Sequence, residues 1–173
     1  VTEDASAMTL SDTGVIAFND IDLIDVHTTR VAADPSNTLG GTLTMGSVSE
    51  SATTQGGTVG WTYNVSNAAT QYLAAGQTAT ETFTVTVDDG NNGTAQQTVT
   101  VTVTGTNDGP TIVAGNTDAI GAVTEDASAM TLSDTGVIAF NDIDLIDVHT
   151  ATVAKATGSL GGTLTLGAVS GET

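Results

Sequence analysis

Thr80-Glu81-Thr82-Phe83-Thr84-Val85-Thr86-Val87, followed by Gln97-Thr98-Val99-Thr100-Val101-Thr102-Val103-Thr104, decides the fold class. Both stretches alternate with a period of two. Phe83, Val85 and Val87 therefore share one face of a strand, and Val99, Val101 and Val103 share one face of another. Threonine fills the opposite faces; it is β-branched yet polar, which suits the wetted side of a sheet. Between the two runs lies Asp88-Asp89-Gly90-Asn91-Asn92-Gly93, rich in residues that tolerate positive φ. The reading is an antiparallel hairpin.

Outward from this hairpin the pattern stays extended. Short strands are expected at Val15–Phe18, Thr28–Ala32, Gly41–Met45 and Val59–Val65, punctuated by Gly40-Gly41 and Gly56-Gly57. Only Asn67–Ala75 has the alanine and leucine content for a helical turn. Seven or so short antiparallel strands in about 110 residues predict an all-β fold, an immunoglobulin-like antiparallel β-sandwich. Trp61, Tyr63, Phe83 and Phe18 are the expected aromatic core. Aromatics make up only 3% of the chain, so valine, isoleucine and leucine must supply most of the rest.

The chain also repeats. Val1–Thr28 recurs without change as Val123–Thr150, and Leu39-Gly40-Gly41-Thr42-Leu43-Thr44 returns as Leu160-Gly161-Gly162-Thr163-Leu164-Thr165. Near-identity at this period indicates a tandem array of small modules. The expected division is a complete sandwich at 1–108, a linker at 109–122 rich in glycine, and the N-terminal part of a second, truncated repeat at 123–173. Two copies of the first strands then compete for one copy of the last. Shorter connections favour the first copy; in the alternative, residues 123–169 complete a sandwich with 51–110. An unpaired second copy would expose strand edges and invite strand exchange with another molecule.

Composition removes several functions. With no cysteine among 173 residues, neither a disulfide framework nor a Cys-ligated metal is possible. No apolar run is long enough to span a bilayer, so no membrane insertion is expected, and the first residues lack the pattern of a signal peptide. Twenty acids face only Arg30 and Lys155, a formal net charge of −18. Nucleic acid and anionic lipid need clustered bases and are poor partners. No Gly-x-Ser-x-Gly elbow or P-loop occurs, and few aromatic residues exist to form a sugar platform, so no enzyme is expected. His27 and His149 read as packed or edge histidines.

The acids themselves carry the functional reading. If the first strand climbs from Glu3-Asp4 to Phe18 and seven strands alternate, Asp20, Asp22 and Asp25 lie at the top. Asn107 and Asp108 join them there, while Asp88 and Asp89 fall at the bottom beside Glu3. A hairpin about Ser11–Gly14 would flip this parity. Two unit charges about 4 Å apart repel by roughly 4 kcal/mol at an effective dielectric near 20, so converging carboxylates either take up protons or recruit a cation. Hard oxygen donors in Asp-x-Asp and Asn-Asp spacing suit Ca²⁺; solvated loop acids that keep the surface soluble are the bland alternative. The copied corner Asp142, Asp144 and Asp147 is expected to form the same half-site, its partners lying past Thr173. Glu125, with Asp126, would meet Asn116 and Asp118 at the junction between modules.

Several segments together resemble the VCBS repeat of cadherin-like, RTX-type bacterial surface adhesins. They are Val1-Thr2-Glu3-Asp4, Phe18-Asn19-Asp20-Ile21-Asp22, Trp61-Thr62-Tyr63, Gly76–Val85, Asp88-Asp89-Gly90 and Thr104-Gly105-Thr106-Asn107-Asp108-Gly109-Pro110. The resemblance covers 1–110 and the N-terminal part of the repeat from 123. It implies β-sandwich extender modules, type I secretion to the cell surface, biofilm adhesion, neighbouring repeats as partners, and calcium that stiffens modules or junctions. A sandwich that itself binds carbohydrate or protein is the alternative.

Overall fold

A computed structural model of the chain describes residues 1–3, 7–154 and 160–171. The chain is all-β and divides into two compact units, Val1–Asp108 and Gly109–Thr173.

The first unit is an antiparallel sandwich of two three-stranded sheets. Strands β1 (Thr9–Asn19), β3 (Thr42–Ser51) and β4 (Thr54–Ser66) form one sheet in the order β1-β4-β3; β2 (Thr28–Ala33), β5 (Thr78–Asp88) and β6 (Thr94–Thr104) form the other as β2-β5-β6. The hairpin read first from the sequence is β5–β6, paired in register from Thr78↔Thr104 to Asp88↔Thr94. Gly90 and Asn92 take positive φ (both 77°) in its turn, as that turn chemistry requires. A 3-10 turn at Asn67–Ala69 is the helical turn expected in that region. β1 runs unbroken along β4 from Thr9↔Ser66 to Asn19↔Gly56, so no hairpin forms about Ser11–Gly14.

The period-two pattern is realised as burial. Leu10, Ile16, Leu43, Val59, Tyr63 and Val65 from one sheet meet Phe83, Val85, Val99, Val101 and Val103 from the other, with Leu39 and Leu73 closing the core. Tyr63 and Phe83 meet edge to face, 5.9 Å between centroids. Trp61 and Phe18 are only half-buried, so the aromatic core is smaller than the sequence suggested.

One carboxylate lies within this core. Glu81 is fully buried and accepts hydrogen bonds from the Leu39 amide (2.9 Å), the Gly41 amide (3.0 Å) and the Tyr63 hydroxyl (2.7 Å). It thereby fastens the β2–β3 crossover to β4 and β5. Burial, then the bond to Glu81, raises the Tyr63 hydroxyl pKa. Gly41 has no room for a side chain, because a Cβ there would lie 2.1 Å from a Glu81 oxygen.

Strand count overturns the expected placement of the acids. Among the described residues of the first unit six strands form, not seven, and Val1–Glu3 bridges the end of β6 (Thr2↔Thr104). Six alternating strands bring the β5–β6 turn to the top, beside the corner that follows β1. They deliver Asn107 and Asp108 to the bottom, beside Glu3. Asp88 and Asp89 have therefore exchanged ends with Asn107 and Asp108.

In the second unit, β7 (Thr111–Ile112) pairs antiparallel with β8 (Phe140–Asn141), and Asp118 bridges Val137. Residues 109–122, expected as a linker, are partly tied to the second copy by these pairings. Among the described residues, no helix is long and apolar enough to cross a membrane.

Candidate metal centre

β1 ends at Asn19 on one sheet and β2 begins at Thr28 on the other, so Asp20–His27 crosses the upper rim of the sandwich. Short-range hydrogen bonds shape the crossing. The Asp20 amide donates to the Gln55 carbonyl (2.9 Å), the Asp22 amide to Asp20 Oδ1 (2.8 Å), and the Asp25 amide to the Asp22 carbonyl (3.1 Å). Aspartate followed two residues later by a free N–H is the local chemistry of an Asx turn.

His27 locks the corner to the sheet beneath. Its ring lies 4.6 Å from the Phe18 ring, with Nε2 3.0 Å from Asp20 Oδ2 and Nδ1 2.6 Å from Glu50 Oε2. The His27 amide also donates to Glu50 Oε1 (3.1 Å). Carboxylates accept and do not donate, so satisfying both contacts needs a proton on each ring nitrogen. Burial pushes the His27 pKa down, but the hydrogen bonds and charges of Glu50 and Asp20 outweigh it and hold the pKa above the ordinary value. Asp20 is held below the usual carboxylate range, first by the Asp22 amide and then by His27. The histidine is a packed one, as its sequence context indicated.

The β5–β6 turn reaches this corner. Asp89 Oδ1 accepts from the amides of Asn91 (2.7 Å) and Gly93 (2.9 Å), and Asp88 Oδ1 from that of Gly90 (2.9 Å). One carboxylate oxygen each from Asp20, Asp25 and Asp89 lies within 4.8 Å of the others, all three residues half-buried. Ca²⁺ holds oxygens at 2.3–2.6 Å, so ligands on opposite sides of one ion are about 5 Å apart. The three oxygens fit within such a shell, and their hard-donor chemistry matches. Asp22 lies on the same crossing, exposed, and Asp88 shapes the turn; neither belongs to the converging set.

The remaining sequence candidates fall elsewhere. Glu3 is buried at the bottom, its oxygens taken up by the Gln71 side chain and by the amide and hydroxyl of Thr106. It pins the N-terminus across the end of β6 and is not a free ligand. Asn107 and Asp108 follow Thr106 at that end; Asp4 lies outside the described residues. In the second unit, Asp142 accepts from the Asp144 amide (3.0 Å) and from His149 Nε2 (2.9 Å), and the Asp147 amide donates to the Asp144 carbonyl (3.1 Å). Asp126 binds its own turn through Ser128, and Glu125 is exposed. Among the described residues, no other group of three acidic or histidine side chains converges as Asp20, Asp25 and Asp89 do.

Glu50, Glu81 and Tyr63 are not among the functional candidates that the sequence offers. Glu81 stands inside a Thr/Val strand at an inward position, and a charge breaking a period-two face was the available signal. Glu50 gave none, because only the sheet brings it to His27. No protein-family model matches the chain, and no curated protein sequence does either.

Proposed function

We propose that residues 1–108 are a mechanical extender module of a bacterial surface adhesin, stiffened by calcium, as in the VCBS-type repeats that the sequence resembles. The role is structural rather than catalytic, and the setting is the cell exterior, reached by type I secretion. The observation supporting this reading is the convergence of Asp20, Asp25 and Asp89. A chain of net charge −18 gathers three carboxylates from two different connections onto one rim. Without a cation the carboxylates repel and loosen the corner against the turn; a bound divalent ion would convert that repulsion into a clamp across the two sheets.

Thermal unfolding of the chain in a calcium titration tests the proposal. Binding to the folded form alone stabilises by RT ln(1+[Ca²⁺]/Kd), about 2.7 kcal/mol at a hundredfold excess over Kd. For a domain of this size that is a rise of roughly 10–20 °C in Tm. Asp89→Asn should remove most of the rise. A Tm indifferent to millimolar calcium and to chelator would refute the calcium role.

A further inference from the structure

Val1–Glu3 lies along the outer edge of β6 and runs in the same direction, whereas the strand pairs of both sheets in the first unit are antiparallel. Three backbone hydrogen bonds hold it there. The Val1 nitrogen donates to the Thr102 carbonyl (2.8 Å), the Thr104 amide to the Val1 carbonyl (2.9 Å), and the Glu3 amide to the Thr104 carbonyl (2.8 Å). The buried Glu3 carboxylate adds side-chain contacts, accepting from the Gln71 side chain and from the amide (3.2 Å) and hydroxyl of Thr106. Bonds to a charged acceptor are stronger than those between neutral groups. The other edge of the same stretch is backed as well. The Gly105 amide donates to the Gln77 carbonyl (2.8 Å) and the Gly76 amide to the Gly105 carbonyl (3.1 Å). A Cβ on Gly105 would lie 1.9 Å from the Leu73 carbonyl oxygen, so this backing is close. We infer that Val1–Glu3 paired with Thr102–Thr106 is a tension clamp, the contact through which the first unit resists being pulled from its two ends.

The direction of the pairing decides this. In two parallel neighbours, the N-terminal end of one segment and the C-terminal end of the other lie at opposite ends of the paired stretch. Tension that enters ahead of Val1 and leaves past Asp108 therefore drags the segments lengthwise past each other. Every bond is loaded at once, and all must fail together. In a tandem array tension enters in this way, because Val123, the copy of Val1, follows directly on Ala122. Behind the clamp the next resistance is weaker. β1 and β6 belong to different sheets, and β1 begins at the end of the sandwich where β6 finishes. Once the clamp yields, β1 is drawn from its Thr9 end and opens from β4 one pair at a time, beginning at Thr9↔Ser66. Forced unfolding is governed by the rate of crossing the barrier rather than by total stability. The clamp, as the first and most evenly loaded contact, sets that barrier. It deepens the mechanical reading of residues 1–108 and needs no cation.

Single-molecule pulling on the full chain tests it, with handles on introduced cysteines, since the chain has none of its own. One pair of handles sits on a cysteine placed ahead of Val1 and on Gly109→Cys, where a Cβ meets nothing within 4 Å. This pair loads the clamp lengthwise. The other pair uses Met8→Cys, at a side chain 90% exposed, with the same Gly109→Cys. Tension then reaches Glu3 and Thr106 at their shared end and opens the same bonds in turn. Both measurements are made in chelator, so their outcome is separate from that of the calcium titration. The lengthwise force should exceed the opening force about threefold, because three backbone bonds share the load instead of bearing it singly. Equal forces, or a lengthwise force below the other, overturn the clamp. Glu3→Ala, which removes the contacts to Gln71 and to the Thr106 amide and hydroxyl, should bring the two forces closer together. A gap that Glu3→Ala leaves unchanged means that the carboxylate carries no load and overturns its part in the clamp. The comparison on the parent chain decides the matter even where that variant fails to fold.

Discussion

Val1–Thr28 and Val123–Thr150 are the same sequence folded twice, and the two copies agree in one half and differ in the other. Their corners match. Asp20 and Asp142 each accept from the amide two residues on, at 2.8 and 3.0 Å, and each meets a histidine seven residues on, at 3.0 and 2.9 Å. Phe18 and Phe140 lie 4.6 and 4.8 Å from those histidines. The strands do not match: an 11-residue β1 in the first copy becomes the two-residue β8 in the second. The corner is closed by hydrogen bonds spanning two to seven residues and carries its own instructions. The strand is set by a distant partner: Thr9–Asn19 pairs along β4, whereas Phe140–Asn141 pairs with Thr111–Ile112.

The comparison breaks most forcefully at the partner. Tyr63→Ala should cost about 3–5 kcal/mol, the range for emptying a large aromatic site in a core. Amide exchange along Thr9–Asn19 should then approach the rates of Thr131–Asn141. If protection of β1 survives, its structure does not depend on the sandwich. Glu81→Gln is expected to be smaller, about 1–3 kcal/mol by chemical denaturation. One of the two oxygens that accept from Leu39, Gly41 and Tyr63 would become a donor and leave a buried group unsatisfied. A variant as stable as the parent would mean that the buried carboxylate is not needed to fasten the crossover.

Smaller effects sharpen the likeness of the corners. Because the His27 pKa is raised above 6.5, the corner's contribution from this group is complete below that pH and is lost as pH rises through the folded value. Asp20 is lowered from 3.8, so its contribution is complete above that pH and lost as pH falls through the folded value. The first corner should therefore be held best between about pH 4 and 6.5. Glu50→Gln should bring the His27 titration, followed by NMR, back toward the ordinary value; an unchanged titration would mean that the Glu50 contact does not form in solution. Smallest of all, Asp20→Ala and Asp142→Ala should shift the Asp22 and Asp144 amide resonances alike, each losing the same acceptor. Unequal shifts would show that the corners are not equivalent.

Legibility followed the range of the interactions. The β5–β6 hairpin could be read because alternation and turn chemistry are both local, and the Asp20–His27 crossing because its own side chains close it. The end of the sandwich at which Asp88-Asp89 lies is not legible in this way, because each strand added or removed reverses the placement of every later turn, and the pattern suggests seven strands where the described residues of the first unit form six. Glu3 illustrates a second limit. Its chemistry suited a metal ligand, but Gln71 and Thr106, 68 and 103 residues away, convert it into a staple.

The sequence by itself determined the all-β character, the hairpin, the turn-forming acids and the duplication, since each rests on periodicity or on contacts within a few residues. Only the tertiary structure decided that Asp89 meets Asp20 and Asp25 and that Glu81 lies in the core; that Thr9–Asn19 pairs with β4 agrees with the shorter connection read from the sequence. The first two outcomes depend on strand count and on which side chains the two sheets bring together, which are properties of the whole path of the first unit rather than of any residue in it.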